Sequence, residues 1–182
     1  RSAELAQDML RLMDRAGQVP VHVGSDKRMP GPSTPVRSAG AEAIVAEAMR
    51  TDSALPLYVA VGGGLNEVAS ALLIEPRIAS RFTLVWIGGD ALPGGATGET
   101  NFNIDARAAR YIYNETALPV WQVTRKAYGT CLVSASELQA HVAPHGAIGA
   151  WLYQRLGDVA TKSGGMLNTG DTWILGDNPL VL

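Results

Sequence analysis

Glu99, Asn101 and Asn103 fall at every second position of the stretch Glu99-Thr100-Asn101-Phe102-Asn103-Ile104-Asp105, which gathers amides and carboxylates into one short polar segment. Just upstream lie Gly88-Gly89-Asp90 and the run Pro93-Gly94-Gly95-Ala96-Thr97-Gly98. A polar, glycine-rich connection of this length is usually kept for a ligand. Asp105 also suits the cap of a following helix, a reading that needs no ligand at all.

In an open parallel sheet, ligands sit at the carboxyl ends of the strands. Three loops are expected to leave such ends: Gly62 to Glu67, Gly88 to Asn103, and the region after Leu175. They hold Asn66, Glu67, Asp90, Glu99, Asn101, Asn103 and Asp177. Carboxylates and amides without basic residues suit polyols and hard cations, not phosphates. Sugar hydroxyls donate and accept, so Asn and Glu can each satisfy two of them. A cation such as calcium takes carboxylate and carbonyl oxygens.

Other chemistries fit less well. Gly62-Gly63-Gly64-Leu65-Asn66-Glu67 supplies two glycines of a dinucleotide fingerprint but places Glu67 at the third, where an acid repels a pyrophosphate. The chain has no Gly-Lys-Ser/Thr phosphate loop, no Gly-x-Ser-x-Gly elbow and no zinc spacing. Cys131 reads as a small buried hydrophobe, and His22, His141 and His145 as surface residues. Trp86, Trp121 and Trp151 read as core; Trp173, near the proposed site, could stack on a base.

The elements that must position these residues follow from periodicity. Leu5, Met9, Leu12 and Met13 mark an amphipathic helix closed by Gly17. Val19 to Val23 reads as a short buried strand, Gly24 to Gly40 as loop, and Ala41 to Met49 as helix with Ile44, Val45 and Ala48 inward. Leu57 to Val61 is the clearest strand, apolar throughout and therefore expected to be covered on both faces. A helix from Leu65 to about Leu73, a strand Thr83 to Ile87, a helix from Asp105 to Glu115 and a strand Pro119 to Val123 follow. Ala108, Ala109 and Ile112 are expected inward on the second of these helices. This alternation predicts an α/β fold with an open, mainly parallel sheet flanked by helices. Beyond Thr124 the pattern turns helical, over Ala135 to Val142 and Ile148 to Leu156, with Thr172 to Leu175 as a last strand.

The 182 residues suffice for one well-buried domain, and 47% hydrophobic with 18% charged residues is ordinary for an enzyme-like one. A net charge of −2, with its 15 basic residues gathered into no stripe, argues against nucleic acid as a partner. No apolar run approaches membrane-spanning length, so no membrane partner is expected. The single cysteine fits a reducing compartment, hence a cytoplasmic expectation.

Several blocks, in order, resemble the inosine-uridine nucleoside hydrolase family. They are Gly62 to Ala69, Glu75-Pro76-Arg77-Ile78, Gly88-Gly89, Glu99-Thr100-Asn101-Phe102 with Asp105 to Ala109, and Leu175-Gly176-Asp177-Asn178-Pro179. The resemblance implies a nucleoside-hydrolase-like fold in one domain over residues 1–182, an incomplete segment of a larger chain. It implies a small-molecule nucleoside or riboside substrate, calcium as cofactor, and a homo-oligomer. Glu99 and Asn101 would hold ribose hydroxyls, Asp177 and the backbone carbonyl of Asn66 would be calcium ligands, and Asp105 would cap a helix. Calcium would hold the ribose diol and acidify a water, as an aspartate removes its proton and the sugar becomes oxocarbenium-like.

Departures from the family pattern are specific. Its amino-terminal aspartate cluster, which supplies most calcium ligands and the general base, has no counterpart, so the general base is expected outside this chain. Gly176 stands where the family has a histidine, Thr100 where it has a phenylalanine, and a family asparagine falls near Pro93 or Gly94. Two readings follow: a segment of an N-glycosyl hydrolase, or a homologue that binds without catalysing and has lost the metal site.

Overall fold

The computed structural model describes residues 2–90, 98–164 and 168–181. Helix α1 (Ser2–Leu12) is followed by α2 (Ala39–Ala48), β1 (Leu57–Val61), α3 (Asn66–Ile74), a 3-10 turn over Pro76–Ser80 and β2 (Phe82–Ile87). Next come α4 (Thr100–Ile104), α5 (Ala106–Glu115), β3 (Val120–Val123) and α6 (Arg125–Tyr128). The order ends with β4 (Leu132–Ser134), α7 (Ala135–His141), α8 (Gly146–Lys162), β5 (Asn168–Thr169), β6 (Thr172–Ile174) and a 3-10 turn over Asn178–Leu180. The chain forms two compact units: Arg1–Val21 with Gly129–Gly176, and His22–Tyr128 with Asp177–Leu182.

The second unit carries a parallel sheet in the order β1-β2-β3, with Val59 opposite Leu84 and Leu84 opposite Val120. Parallel neighbours need a crossover, supplied by α3 between β1 and β2 and by α5 between β2 and β3. α3 packs against both α2 and α5. The core lies between these helices and the sheet, where Leu65, Val68, Ala69, Leu72, Leu84, Trp86, Ala108, Ala109 and Ile112 are buried. Ser38 caps α2 by accepting from the Ala41 amide, and Asp105 caps α5 through the Arg107 and Ala108 amides, as its position in the sequence predicts.

Three expectations are corrected. Val19 to Val23 forms no strand: Val19 is 50% and Val23 64% exposed, and apolar character without a strand to pair with does not make a ladder. β1 is not covered on both faces. Tyr58 is 49% and Trp121 58% exposed on the side away from the helices, their rings 5.3 Å apart, so Trp121 is not core either. The polar connection after β2 is not all loop, since Thr100–Ile104 is helical; residues 91–97, including Pro93 and Gly94, lie outside the described residues.

In the first unit α1 packs against α8, and β4, β6 and β5 form an antiparallel sheet with Val133 opposite Trp173. Ser134 and Glu137 make a reciprocal capping box that starts α7. Among the described residues no helix is long and apolar enough to cross a membrane.

Candidate functional site

At the carboxyl end of β2 the chain must turn in a crowded place. A side chain at Gly88 would put its first carbon 2.3 Å from the Trp86 ring, and Gly89 adopts φ +69, where glycine alone is unstrained. The Gly88 amide donates to the Val123 carbonyl, the Gln122 side-chain amide donates to the Gly88 carbonyl, and the Arg125 amide donates to the Gly89 carbonyl. The turn is thereby fixed with the Gly89 N–H aimed at Glu99.

Glu99 is 1% exposed and stands at the N-cap of α4. Its Oε2 accepts from the amides of Gly89 (2.7 Å) and Phe102 (2.7 Å); its Oε1 accepts from the Asn101 amide (3.0 Å) and the Tyr128 hydroxyl (3.0 Å). A carboxylate offers about four lone-pair positions, so the group is saturated. Burial pushes the Glu99 carboxyl up, but the hydrogen bonds from Gly89, Phe102, Asn101 and Tyr128 together hold it below its usual value. Tyr128 is pushed up to about 12, by burial and by donating to an anion.

Asn101 follows in the first turn of α4. One N–H of its side chain is fixed on the Ile87 carbonyl at 2.8 Å, the last residue of β2. Its side-chain oxygen has no partner among the described residues.

The carboxyl end of the neighbouring strand β1 is the turn Gly62-Gly63-Gly64. Asp177 rests on the first glycine: a side-chain carbon at Gly62 would lie 2.9 Å from Asp177 Oδ2. The third glycine meets α4, since a carbon there would lie 2.4 Å from Ile104 Cγ2. Between them, the Gly63 carbonyl accepts from the Trp86 indole at 2.9 Å. The turn therefore has Asp177 on one side and the helix that carries Asn101 on the other. Residue Asp177 is exposed at the surface, yet partial burial of its carboxyl pushes the pKa up, and no hydrogen bond reaches that carboxylate among the described residues.

The other candidates are engaged in the scaffold. Glu67 accepts from the Ser25 amide (2.7 Å), the Ser38 hydroxyl and the Asn66 side chain, and so fastens the 24–40 loop to α3. Asn66 is the first residue of α3, so its carbonyl runs along the helix axis as in any α-helix. Asp90 is held by Arg125, from α6, through paired contacts of 2.9 and 2.6 Å. Asn103 is exposed, and its carbonyl accepts from Arg28. Trp173 is corrected as well: it is buried, 8% exposed, in the antiparallel sheet of the first unit. His22, His141 and His145 are at the surface. Sequence reasoning missed Tyr128, Gln122 and Arg125; each acts through a contact more than 30 positions away or nearly so, and no local pattern marks it.

Two surface grooves are lined by described residues. One of about 740 Å³ is lined by Pro32, Arg107, Arg110 and Tyr111, and one of about 420 Å³ by Leu138, Tyr153 and Trp173. As to a metal, calcium takes roughly six to eight oxygens. Among the described residues no three His, Cys, Asp or Glu side chains gather as a metal site, and Asp177 is the one carboxylate described here that stands unpartnered at the β1 turn. The donor set does not make a calcium site by itself.

No family model matches the chain. Over 65 residues, 34% of this chain and 19% of the relative, it is 43% identical to an inosine-uridine preferring nucleoside hydrolase of Crithidia fasciculata. A solved inosine-guanosine nucleoside hydrolase superimposes with a TM-score of 0.73 at 18% identity, covering 99% of this chain and 64% of that one. A plant nucleoside hydrolase gives a TM-score of 0.64 at 17% identity, covering 81% and 46%. The chain spans under two thirds of the length of each. Its fold is that of the nucleoside hydrolases, and one stretch of its sequence is related to a curated member of that group.

Proposed function

We propose that the chain contributes sugar-binding groups to a hydrolase that cleaves the N-glycosidic bond of ribonucleosides or a related N-riboside. The observation that carries this reading is the buried, ionised Glu99 beside Asn101 at the end of β2, in a nucleoside-hydrolase fold. Cleavage of an N-riboside builds positive charge on the sugar. A carboxylate held ionised out of water is well placed to favour that charge over the neutral ground state. Asn101 offers an unpartnered side-chain oxygen to a ribose hydroxyl, oriented by its bond to the Ile87 carbonyl. Asp177 offers two acceptor oxygens on the far side of the Gly62 turn.

Calcium, where bound, would hold the diol and activate a water. Asp177 would be one ligand, and the backbone carbonyl of Asn66, at the start of α3, another. The remaining oxygens are not among the described residues, so the steps assigned to this chain are binding and orientation. The lone carboxylate at the β1 turn favours a second reading, a homologue that grips the sugar without cleaving it.

Incubating the full-length gene product with inosine or uridine in calcium separates the two. Free ribose above the blank, lost in Glu99→Gln, is the expected result. Riboside binding without any release supports the second reading, and neither binding nor release defeats both.

A further inference from the structure

The four hydrogen bonds on Glu99 are not equivalent. Three come from backbone amides whose positions the fold dictates: Gly89 in a turn locked at both its neighbours, and Asn101 and Phe102 in the first turn of α4. None can leave without unfolding local structure. The fourth comes from a side chain, the Tyr128 hydroxyl, at the end of the four-residue helix α6. Tyr128 is only half-buried, so its ring can rotate away while its backbone stays in place.

We propose that the Tyr128 hydroxyl stands in for a ligand hydroxyl, and that a sugar reaches Glu99 only by displacing it. This rests on the reading that Glu99 binds sugar. A saturated carboxylate 1% exposed has no acceptor to give until a partner departs, and one partner alone is free to go. The vacated position is on Oε1, the oxygen that also accepts from the Asn101 backbone amide, so the incoming hydroxyl arrives at the first turn of α4. The position is selective. An ionised carboxylate accepts a hydroxyl and rejects another carboxylate or a phosphate, so a neutral riboside enters where a 5′-phosphorylated group directed at the same spot does not. Tyr128 thereby also keeps an empty site from leaving Glu99 without its fourth donor, at a cost in affinity equal to breaking a hydrogen bond to a charged group.

Titration calorimetry with D-ribose and with inosine, on the full chain and on Tyr128→Phe and Glu99→Gln, tests this. Tyr128→Phe removes the competitor and is expected to bind roughly ten- to a hundredfold more tightly than the unaltered chain, while Glu99→Gln loses binding. Equal or weaker binding by Tyr128→Phe, with loss in Glu99→Gln, overturns the displacement and leaves the role of Glu99 intact. Unchanged binding in Glu99→Gln, or no binding by any of the three, removes the sugar reading and this proposal with it. Should Tyr128→Phe fail to fold, fluorotyrosine-labelled chain gives a second measurement: the Tyr128 resonance moves on saturation with ribose. A resonance that stays in place under saturation overturns displacement.

Discussion

The ends of β1 and β2 lie side by side in the same sheet, and Asp177 and Glu99 stand at them in opposite conditions. At the β2 end Glu99 is buried, accepts four hydrogen bonds and is held ionised below its ordinary range. At the β1 end Asp177 lies against a glycine, accepts no hydrogen bond among the described residues, and is pushed up by partial burial. The same chemical group thus serves two ends. Glu99 is first a fastening of the scaffold, with a single position proposed to be open to exchange; the Asp177 carboxylate makes no hydrogen bond among the described residues and has both oxygens to offer.

Removing each carboxylate should expose the contrast. Glu99→Ala leaves three amides and a phenol without their acceptor and is expected to cost on the order of 3 kcal/mol in urea unfolding. A loss below about 0.5 kcal/mol would mean that the cap is not structural. Gly88→Ala forces a carbon onto the rigid, buried Trp86 ring, and about 1–3 kcal/mol is expected from overpacking. A neutral result there would show that the β2 turn is looser than described. Asn101→Ala loses its bond to Ile87 and its contact to sugar; about 1–3 kcal/mol of transition-state binding is expected in an active protein, and unchanged catalytic efficiency removes it from the site.

Acid titration separates the two groups by sign. The Glu99 pKa is below its unfolded value of 4.5, so its contribution is complete above 4.5 and is lost as pH falls through the lower folded value. The Asp177 pKa is above 3.8, so any contribution it makes is present below 3.8 and lost as pH rises through the folded value. Unfolding midpoints in Glu99→Gln should therefore fall less steeply in acid than those of the unaltered chain; a parallel fall would remove Glu99 as the cause. The smallest effect belongs to Asp177→Asn, which is expected to leave stability within about 0.5 kcal/mol while weakening riboside binding. A large destabilisation there would give Asp177 the scaffold role assigned to Glu99.

Where the sequence was legible, burial and periodicity agreed. β1 spans Leu57–Val61 as its apolar run predicts, and Ala108, Ala109 and Ile112 face the core of α5 because helical spacing allows no other face. The strand expected at Val19 to Val23 had the composition but no neighbour, and composition does not supply hydrogen bonds. α4 is five residues long, too short for any period to register. The site was legible in its residue types and opaque in its wiring. Glu99 and Asn101 could be named from the chain, whereas the Gly89 amide and the Tyr128 hydroxyl that saturate Glu99 come from ten residues upstream and 29 downstream. Such contacts are tertiary, and only the fold brings them together.

The account stands on Glu99, Asn101 and Asp177 serving one sugar. Backbone amide spectra of the labelled chain, recorded while D-ribose is added, address that most directly. The account predicts saturable shifts concentrated at Gly89, Asn101, Gly62 and Asp177. Shifts confined to other parts of the second unit, or none at saturating ribose, would contradict it.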